Sequence, residues 1–146
     1  MFSDTITVFN FQEDKTNGSR IWYATVLSGV EVQINKGSNV RISGLESADS
    51  VSLHIPLTKA NEEWFADGIQ YLKQKAWFAL EDKSGTFTLN PAKDFFALGN
   101  YGTKEYQDDD YNRGLLEYMN AKYDDVYKIT TVDVYKTIPH IEAGGK

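Results

Sequence analysis

Side chains suited to acid–base or metal chemistry are scattered along this sequence of 146 residues without a recognisable motif. It has no cysteine, which excludes disulfides, thiolate metal sites and a cysteine nucleophile. The two histidines, His54 and His140, are far apart in the chain, and a metal site would need both of them together with a carboxylate. We therefore interpret them as unrelated residues, and we expect no metal and no cofactor.

The most acidic stretch is Asp108–Asp109–Asp110, with Glu105 close by. An EF-hand loop needs acids at alternate positions, a central glycine and a terminal glutamate, and the stretch lacks this pattern. Acids at a helix N-terminus bind free amides and complement the helix dipole, so we interpret the stretch as such a terminus, capped by Asp109 or Asp110.

Motifs of nucleophilic or phosphate-binding enzymes are missing from the sequence, which therefore predicts no catalytic residue and a protein that is not an enzyme. A small enzyme that works through paired carboxylates is the weakest alternative. No spaced pair stands out among the 21 acidic residues.

Three aromatic pairs stand out: Trp22–Tyr23, Trp64–Phe65 and Trp77–Phe78. Neighbours on a strand point to opposite faces, so one member of each pair is a candidate for exposure. We favour a role in the core over a role in an interface or in stacking on a sugar, because an exposed aromatic patch needs a reason. The residues kept as candidates for an interface are Trp22, Trp64, Trp77, Tyr101, Tyr106, Asp108, Asp109, Asp110, His140 and Ile141.

The elements that must position these residues are mostly strands. β-branched and aromatic residues, or strict apolar–polar alternation, indicate strands at 5–11, 21–27, 30–35, 40–42 and 51–55. Asn17–Gly18 is a hairpin turn signal between the first two strands, and 36–39 is a further turn. Many short strands predict a mainly β fold, a small β-barrel or sandwich of antiparallel strands, in a single domain over 1–146.

One α-helix is predicted late in the chain, at about 110–122. Leu115, Leu116, Met119 and Tyr123 fall on one face of it, and we expect Leu116 and Met119 to be buried. Residues 61–66 are interpreted as a single helical turn capped by Asn61.

The C-terminal region is predicted as a strand followed by a tail. The apolar phase of strand 126–136 shifts by one residue after Ile129, which indicates a β-bulge. We expect a polar loop at 100–112 and a flexible tail at 137–146, in which 138–141 forms a final edge strand.

The composition narrows the class of protein. Fifteen basic and 21 acidic residues give a net charge of −6, which argues against a nucleic-acid binder that neutralises phosphates. A 41% hydrophobic and 14% aromatic content argues against long disorder. No apolar run approaches the roughly 18 residues of a membrane span, and the first residues lack the features of a signal peptide, so we expect a soluble protein with no membrane partner.

Several segments resemble one family of phage proteins. They are 1–10, Trp22–Val30, Tyr71–Leu72, Lys75–Trp77, Gly85–Pro91, Tyr123–Asp133 and Pro139–Gly145. Together they are similar to small proteins encoded in the virion-structure clusters of siphophages and prophages of Gram-positive bacteria. The resemblance implies a head–tail joining (head-closure, stopper or neck) protein.

The resemblance implies a small β-barrel that forms a homo-oligomeric ring beneath the portal and adaptor, on which the tail docks. DNA would pass the lumen without specific binding, and negative charge favours that passage because it repels phosphates. The implied location is the virion neck, after assembly in the host cytoplasm. The alternative is a carbohydrate- or protein-binding β-sandwich module that uses exposed aromatic residues.

Overall fold

Strands make up most of the structure. The computed structural model describes residues 2–35 and 50–146, so the predicted turn at 36–39 and strand at 40–42 lie outside the described residues. The strands are β1 (Asp4–Glu13), β2 (Arg20–Asn35), β3 (Ser50–Pro56), β4 (Thr58–Ala60), β5 (Glu63–Ala66), β6 (Ile69–Tyr71), β7 (Thr86–Phe87), β8 (Phe95–Leu98), β9 (Lys104–Gln107), β10 (Val126–Tyr135) and β11 (His140–Gly145). Two α-helices, α1 (Gln74–Phe78) and α2 (Leu115–Lys122), and a 3-10 turn (Asp108–Asp110) accompany them.

Six strands close into an antiparallel β-barrel in the order β1–β8–β10–β11–β3–β2, because β2 also pairs with β1. β9 extends this sheet by pairing with the first part of β2. A separate small sheet contains β4, β5, β6 and β7. The prediction of a mainly β fold with a small barrel is therefore confirmed.

The 16-residue strand β2 pairs with β1, β3 and β9. Its first part pairs with β1, and its last part, Glu31–Asn35, pairs with β3. Sequence reasoning divided this strand at Gly29, which has a φ of 75°. The strand continues through that glycine as a β-bulge, because Asp4 pairs with Val30 and Thr5 with Ser28, which leaves Gly29 as the extra residue of β2.

The barrel interior holds the main hydrophobic core. Its fully buried members include Ile6, Val8, Leu27, Leu53, Ile55, Phe96, Ile129 and Ile141. The small sheet and its flanking segments pack onto the same core through Leu57, Ala66, Tyr71, Phe87 and Leu89. Each of the larger side chains stabilises the fold by about 1.5–3 kcal/mol relative to exposure.

A second hydrophobic cluster lies on the outer face of the barrel, beneath α2. Leu115 and Met119 of this helix are buried there, and Leu116 is partly buried. They pack with the stacked rings of Phe9 and Phe95, whose centroids are 4.5 Å apart. The predicted helix is therefore real, but it begins at Leu115 rather than near 110 because the 3-10 turn and a reversal of the chain precede it.

The C-terminal segment forms a strand of the barrel, so its sequence prediction was wrong. Residues 137–146 were expected to be a flexible tail, whereas β11 lies within the barrel between β10 and β3. The two glycines that suggested flexibility are required by close packing. A Cβ at Gly144 would lie 2.6 Å from Thr131 Oγ1, and one at Gly145 would lie 2.8 Å from the Lys128 carbonyl oxygen.

Two further expectations are corrected. The polar loop at 100–112 contains β9 and the 3-10 turn. The predicted helical turn at 61–66 is instead a tight turn at Asn61 and Glu62, both with positive φ, followed by β5. The predicted bulge in β10 is confirmed, because the register with β11 shifts between Ile129 and Thr131.

Candidate functional site

Asp108 joins the 3-10 turn, the barrel and α2. Its Oδ1 accepts hydrogen bonds from the Trp22 indole Nε1, at 2.8 Å, and from the backbone N–H of Leu115, at 2.9 Å. Its Oδ2 lies 3.8 Å from the Arg20 guanidinium. Asp108 therefore satisfies the first N–H group of α2, the role that the sequence assigned to Asp109 or Asp110.

The chain reversal before α2 brings the helix onto this carboxylate. Arg113 and Gly114 both adopt positive φ, of 64° and 92°. A Cβ at Gly114 would lie only 3.0 Å from Asp108 Oδ1, so a side chain there would crowd the capping carboxylate. The acidic stretch does lie at a helix N-terminus, and its capping residue is Asp108.

The other two acids of the stretch lie on the surface. Asp109 pairs with Arg20, and both side chains are largely exposed. Asp110 is exposed as well. Both remain available for an interface.

The tryptophans belong mainly to the core. Trp22 is 5% exposed and Trp77 is fully buried, so the core interpretation is confirmed for both and neither offers an exposed stacking platform. Trp64 is half-buried, and the Lys59 ammonium lies 5.5 Å from its ring centroid. Trp64 is the one tryptophan that keeps an accessible face.

Tyrosines form a continuous layer over the outer cluster. Tyr106 donates a hydrogen bond to the Tyr101 carbonyl oxygen at 3.1 Å and contacts Tyr111 through its ring. Tyr111 in turn contacts Tyr118, with ring centroids 4.8 Å apart. Partial burial raises the pKa of Tyr101 and Tyr111. The structure thus brings Tyr101 and Tyr106 together, and it adds Tyr111 and Tyr118, which sequence reasoning missed.

His140 lies at the end of the β10–β11 hairpin, whose tip is the segment Tyr135–His140. Its Nδ1 lies 2.6 Å from the Ile138 carbonyl oxygen, and its Nε2 lies 2.8 Å from Glu142 Oε2. Both neighbours are acceptors, so both ring nitrogens donate only in the imidazolium form. These contacts, led by that with Glu142, raise the pKa of His140.

The hairpin tip exposes an apolar side chain, that of Ile138, to solvent. Ile138 is 77% exposed and Tyr135 is 44% exposed. The Leu57 N–H donates to the Pro139 carbonyl oxygen at 3.0 Å, and the Tyr135 ring stacks on His140 at 4.8 Å. The tip is therefore anchored on both sides of Ile138, whereas Ile141, an interface candidate, is fully buried inside the barrel.

A polar cluster is buried between β1 and the start of β8. Asp94 is 1% exposed and accepts hydrogen bonds from Asn10 Nδ2, at 2.7 Å, and from the backbone N–H groups of Phe11, at 3.0 Å, and Asn90, at 2.9 Å. Asn10 also bonds both backbone groups of Thr88. Burial raises the pKa of Asp94 to about 7. A polar residue at an inward position of β1, after Ile6 and Val8, was the sequence signal for this cluster.

A cleft of about 420 Å³ lies between β2, β9 and the segment that precedes β7. Lys83 lines it, but its ammonium donates to the carbonyl oxygens of Trp77, at 2.8 Å, and Leu80, at 2.9 Å. Desolvation lowers the pKa of Lys83. Because the Lys83 ammonium binds carbonyl oxygens at the C-terminal end of α1, its role in this cleft is structural.

Among the described residues, no three histidine, aspartate or glutamate side chains come together in a way that would hold a metal ion. His54 and His140 do approach each other, with ring centroids 6.0 Å apart on neighbouring strands. Across the described ranges, no helix is long and apolar enough to cross a membrane.

The layout of the molecule is thus a closed barrel with a tyrosine layer on one face and an anchored apolar hairpin tip. The chain belongs to a family of unknown function, DUF6751. The sequence profile of that family matches residues 1–146. Comparison with curated proteins gives no match, and comparison with solved structures gives none either.

Proposed function

We propose that the protein is a structural subunit of a bacteriophage neck, a head-closure component that joins head to tail beneath the portal. Its partners are further copies of itself, arranged in a ring, and the portal, adaptor and tail proteins. The protein is then a virion component, assembled in the cytoplasm of the host.

The observation that carries this proposal is the hairpin tip. Ile138 is 77% exposed, and its turn is held by the Leu57–Pro139 hydrogen bond and by the stacking of Tyr135 on His140. An anchored turn loses little conformational entropy on binding, so the burial of Ile138 contributes to affinity with little cost of ordering. Such a side chain favours a function in protein–protein contact.

Two other features support the same function. The segments that resemble virion-cluster proteins include Tyr123–Asp133 and Pro139–Gly145, which form most of the hairpin that carries the tip. The net charge of −6 suits a ring through which DNA passes, because like charge weakens adhesion of the phosphate backbone.

The proposal is tested in a phage that carries the gene. We expect the protein in purified virions, and we expect its deletion to leave heads without tails in electron micrographs. A deletion phage that forms normal infectious particles, or virions that lack the protein, would refute the proposal.

A pair of single variants tests the role of the tip. Ile138→Ser should lower the yield of tailed particles, because it removes the exposed apolar contact. Phe2→Ser is the matched control, since Phe2 is also an exposed apolar residue, at 51%, but lies outside the tip. Equal yields from the two variants would show that the tip is not the contact.

A further inference from the structure

Four basic side chains surround one cavity of about 250 Å³ on the outer face of the barrel, next to α2. We call this the cationic cleft; it is formed by Arg20, Lys93, Arg113 and Lys128. Its apolar lining includes Phe11, Trp22 and Leu116. The four cations come from separate parts of the chain, so the fold alone brings them together.

Three of these cations have no counter-ion within the part of the chain that the structure describes. Lys93, Arg113 and Lys128 form no ion pair there, and the Lys93 ammonium instead lies 5.1 Å from the Phe11 ring centroid. The cleft contains two carboxylates, Asp108 and Glu117. Four cations against two carboxylates leave the cleft with an excess of positive charge in a chain of net charge −6.

Carboxylates form a row on a different part of the barrel. Asp133 of β10 faces Glu142 of β11, Glu142 faces His54 of β3, and His54 faces Glu31 of β2. These four residues occupy directly paired positions, so they lie side by side on one face of the sheet. It is the outer face, because Leu53 and Ile141, their neighbours along the strands, are buried inside. We call Glu31, Asp133 and Glu142 the carboxylate row.

The cleft and the row lie on separate parts of the barrel surface. The cleft is lined from β1, the first residues of β2, the segment before β8, and β10, whereas the row crosses β10, β11, β3 and the last part of β2. β10 contributes to both, but Lys128 and Asp133 are about 16 Å apart along the strand, at roughly 3.3 Å per residue.

We infer that the cationic cleft of one copy binds the carboxylate row of a second copy. The occupant follows from charge. The row offers carboxylates, whereas three of the four cations of the cleft have no ion pair among the described residues, and a volume of about 250 Å³ admits side chains but not a folded element. Two different complementary patches on separate parts of one subunit produce head-to-tail contacts, which close into rings or extend as filaments. The inference rests on the proposed ring, to which it assigns the contact surfaces.

Charge reversal tests this contact. Lys93→Glu with Lys128→Glu reverses the cleft, and Asp133→Lys with Glu142→Lys reverses the row. Each double variant should weaken self-association on the order of 100-fold, because like charges then face each other. Lys15→Glu with Lys75→Glu is the control for the cleft variant, with the same change in net charge at exposed positions outside the cleft, and should retain wild-type association.

Restoration separates a lost contact from a damaged fold. A chain with both reversals pairs opposite charges again and should self-associate as the wild type does. An equal mixture of the two double variants should also associate, whereas each alone stays monomeric. Sedimentation velocity at low ionic strength gives the association constants, and added salt should lower them in the wild type.

Zero-length carbodiimide crosslinking identifies the contact directly. We expect crosslinks from Lys93 or Lys128 to Asp133 or Glu142, and mixing 15N-labelled with unlabelled chains should show that they join two copies. A wild-type protein without these crosslinks, or double variants that associate as well as the control, would overturn the inference. Finding the protein in virions despite that result would leave the proposed function standing, so the two failures are distinguishable.

Discussion

Raising the pH should weaken the fold through one buried carboxyl group, that of Asp94. This side chain is 1% exposed, and burial raises its pKa to about 7 in the folded chain from 3.8 in the unfolded chain. Three N–H donors, from Asn10, Phe11 and Asn90, favour the ionised form and keep the pKa from rising further.

The sign follows from proton binding. Between the two pKa values the folded chain binds more protons at Asp94 than the unfolded chain does, so the free energy of unfolding falls as the pH rises. At about 1.4 kcal/mol per pKa unit, the change from 3.8 to about 7 corresponds to about 4 kcal/mol lost between acid and mildly alkaline pH. That is a large share of the roughly 5–15 kcal/mol by which a domain is stable.

The assay compares the wild type with Asp94→Asn in urea denaturation over a series of pH values. Other titrating groups are shared, so the difference between the two curves isolates Asp94. At low pH the variant should be less stable by about 1–3 kcal/mol, because its amide NH2 faces one of the three N–H donors. As the pH rises through about 7, the difference should shrink or change sign.

Two results would refute this reasoning. One is a difference between wild type and variant that does not change with pH. The other is a carbon-13 chemical shift of the Asp94 carboxyl carbon that reports an ionised group well below pH 7. Either result would mean that the three hydrogen bonds outweigh burial.

Three further predictions concern other contacts. Asp108→Ala should lower the free energy of unfolding, measured by urea denaturation, by about 2–3 kcal/mol, because the buried Trp22 N–H and the first N–H of α2 lose their acceptor. Asp109→Ala, at an exposed position, should lower it by under about 0.5 kcal/mol. Equal losses would contradict the role of Asp108 as the cap of α2. Proton NMR should place the pKa of His140 above 6.5. The stabilisation of the folded chain by protonated His140 is then present below pH 6.5 and is lost as the pH rises through the folded pKa, and amide exchange in the hairpin tip should become faster. A midpoint at or below 6.5 would contradict the contacts of His140 with Glu142 and Ile138. Ile141→Ala should lower the free energy of unfolding by about 2–5 kcal/mol, because the side chain is fully buried. Deletion of 140–146 should abolish the circular dichroism spectrum of the folded protein, and a deletion variant that still folds would contradict the position of β11.

Local signals explain what the sequence predicted well. The hairpin turn at Asn17–Gly18 depends on residues that tolerate positive φ, and Gly18 has a φ of 75°. The bulge after Ile129 is visible as a phase shift within one strand. The burial of Trp22 and Trp77 follows the general tendency of aromatic residues to fill cores.

Long-range contacts explain what the sequence could not predict. Gly144 and Gly145 are typical of a flexible tail, and only the approach of Thr131 and Lys128 shows why no larger residue fits there. α1 has five residues, too few for a periodic pattern. The cationic cleft gathers Arg20, Lys93, Arg113 and Lys128 from four segments, and no spacing in the chain connects them.

The position of β11 between β10 and β3 also constrains how the protein folds during synthesis. The β1–β2 hairpin is local and can form early on the ribosome, but the barrel has a gap until His140–Gly145 has left the exit tunnel. Until then the edges of β3 and β10 remain unpaired, which leaves them open to pairing with other nascent chains. Closure therefore comes late and depends on contacts distant in sequence, which makes it slow, and chains that terminate prematurely before β11 should aggregate or be degraded rather than enter an assembly.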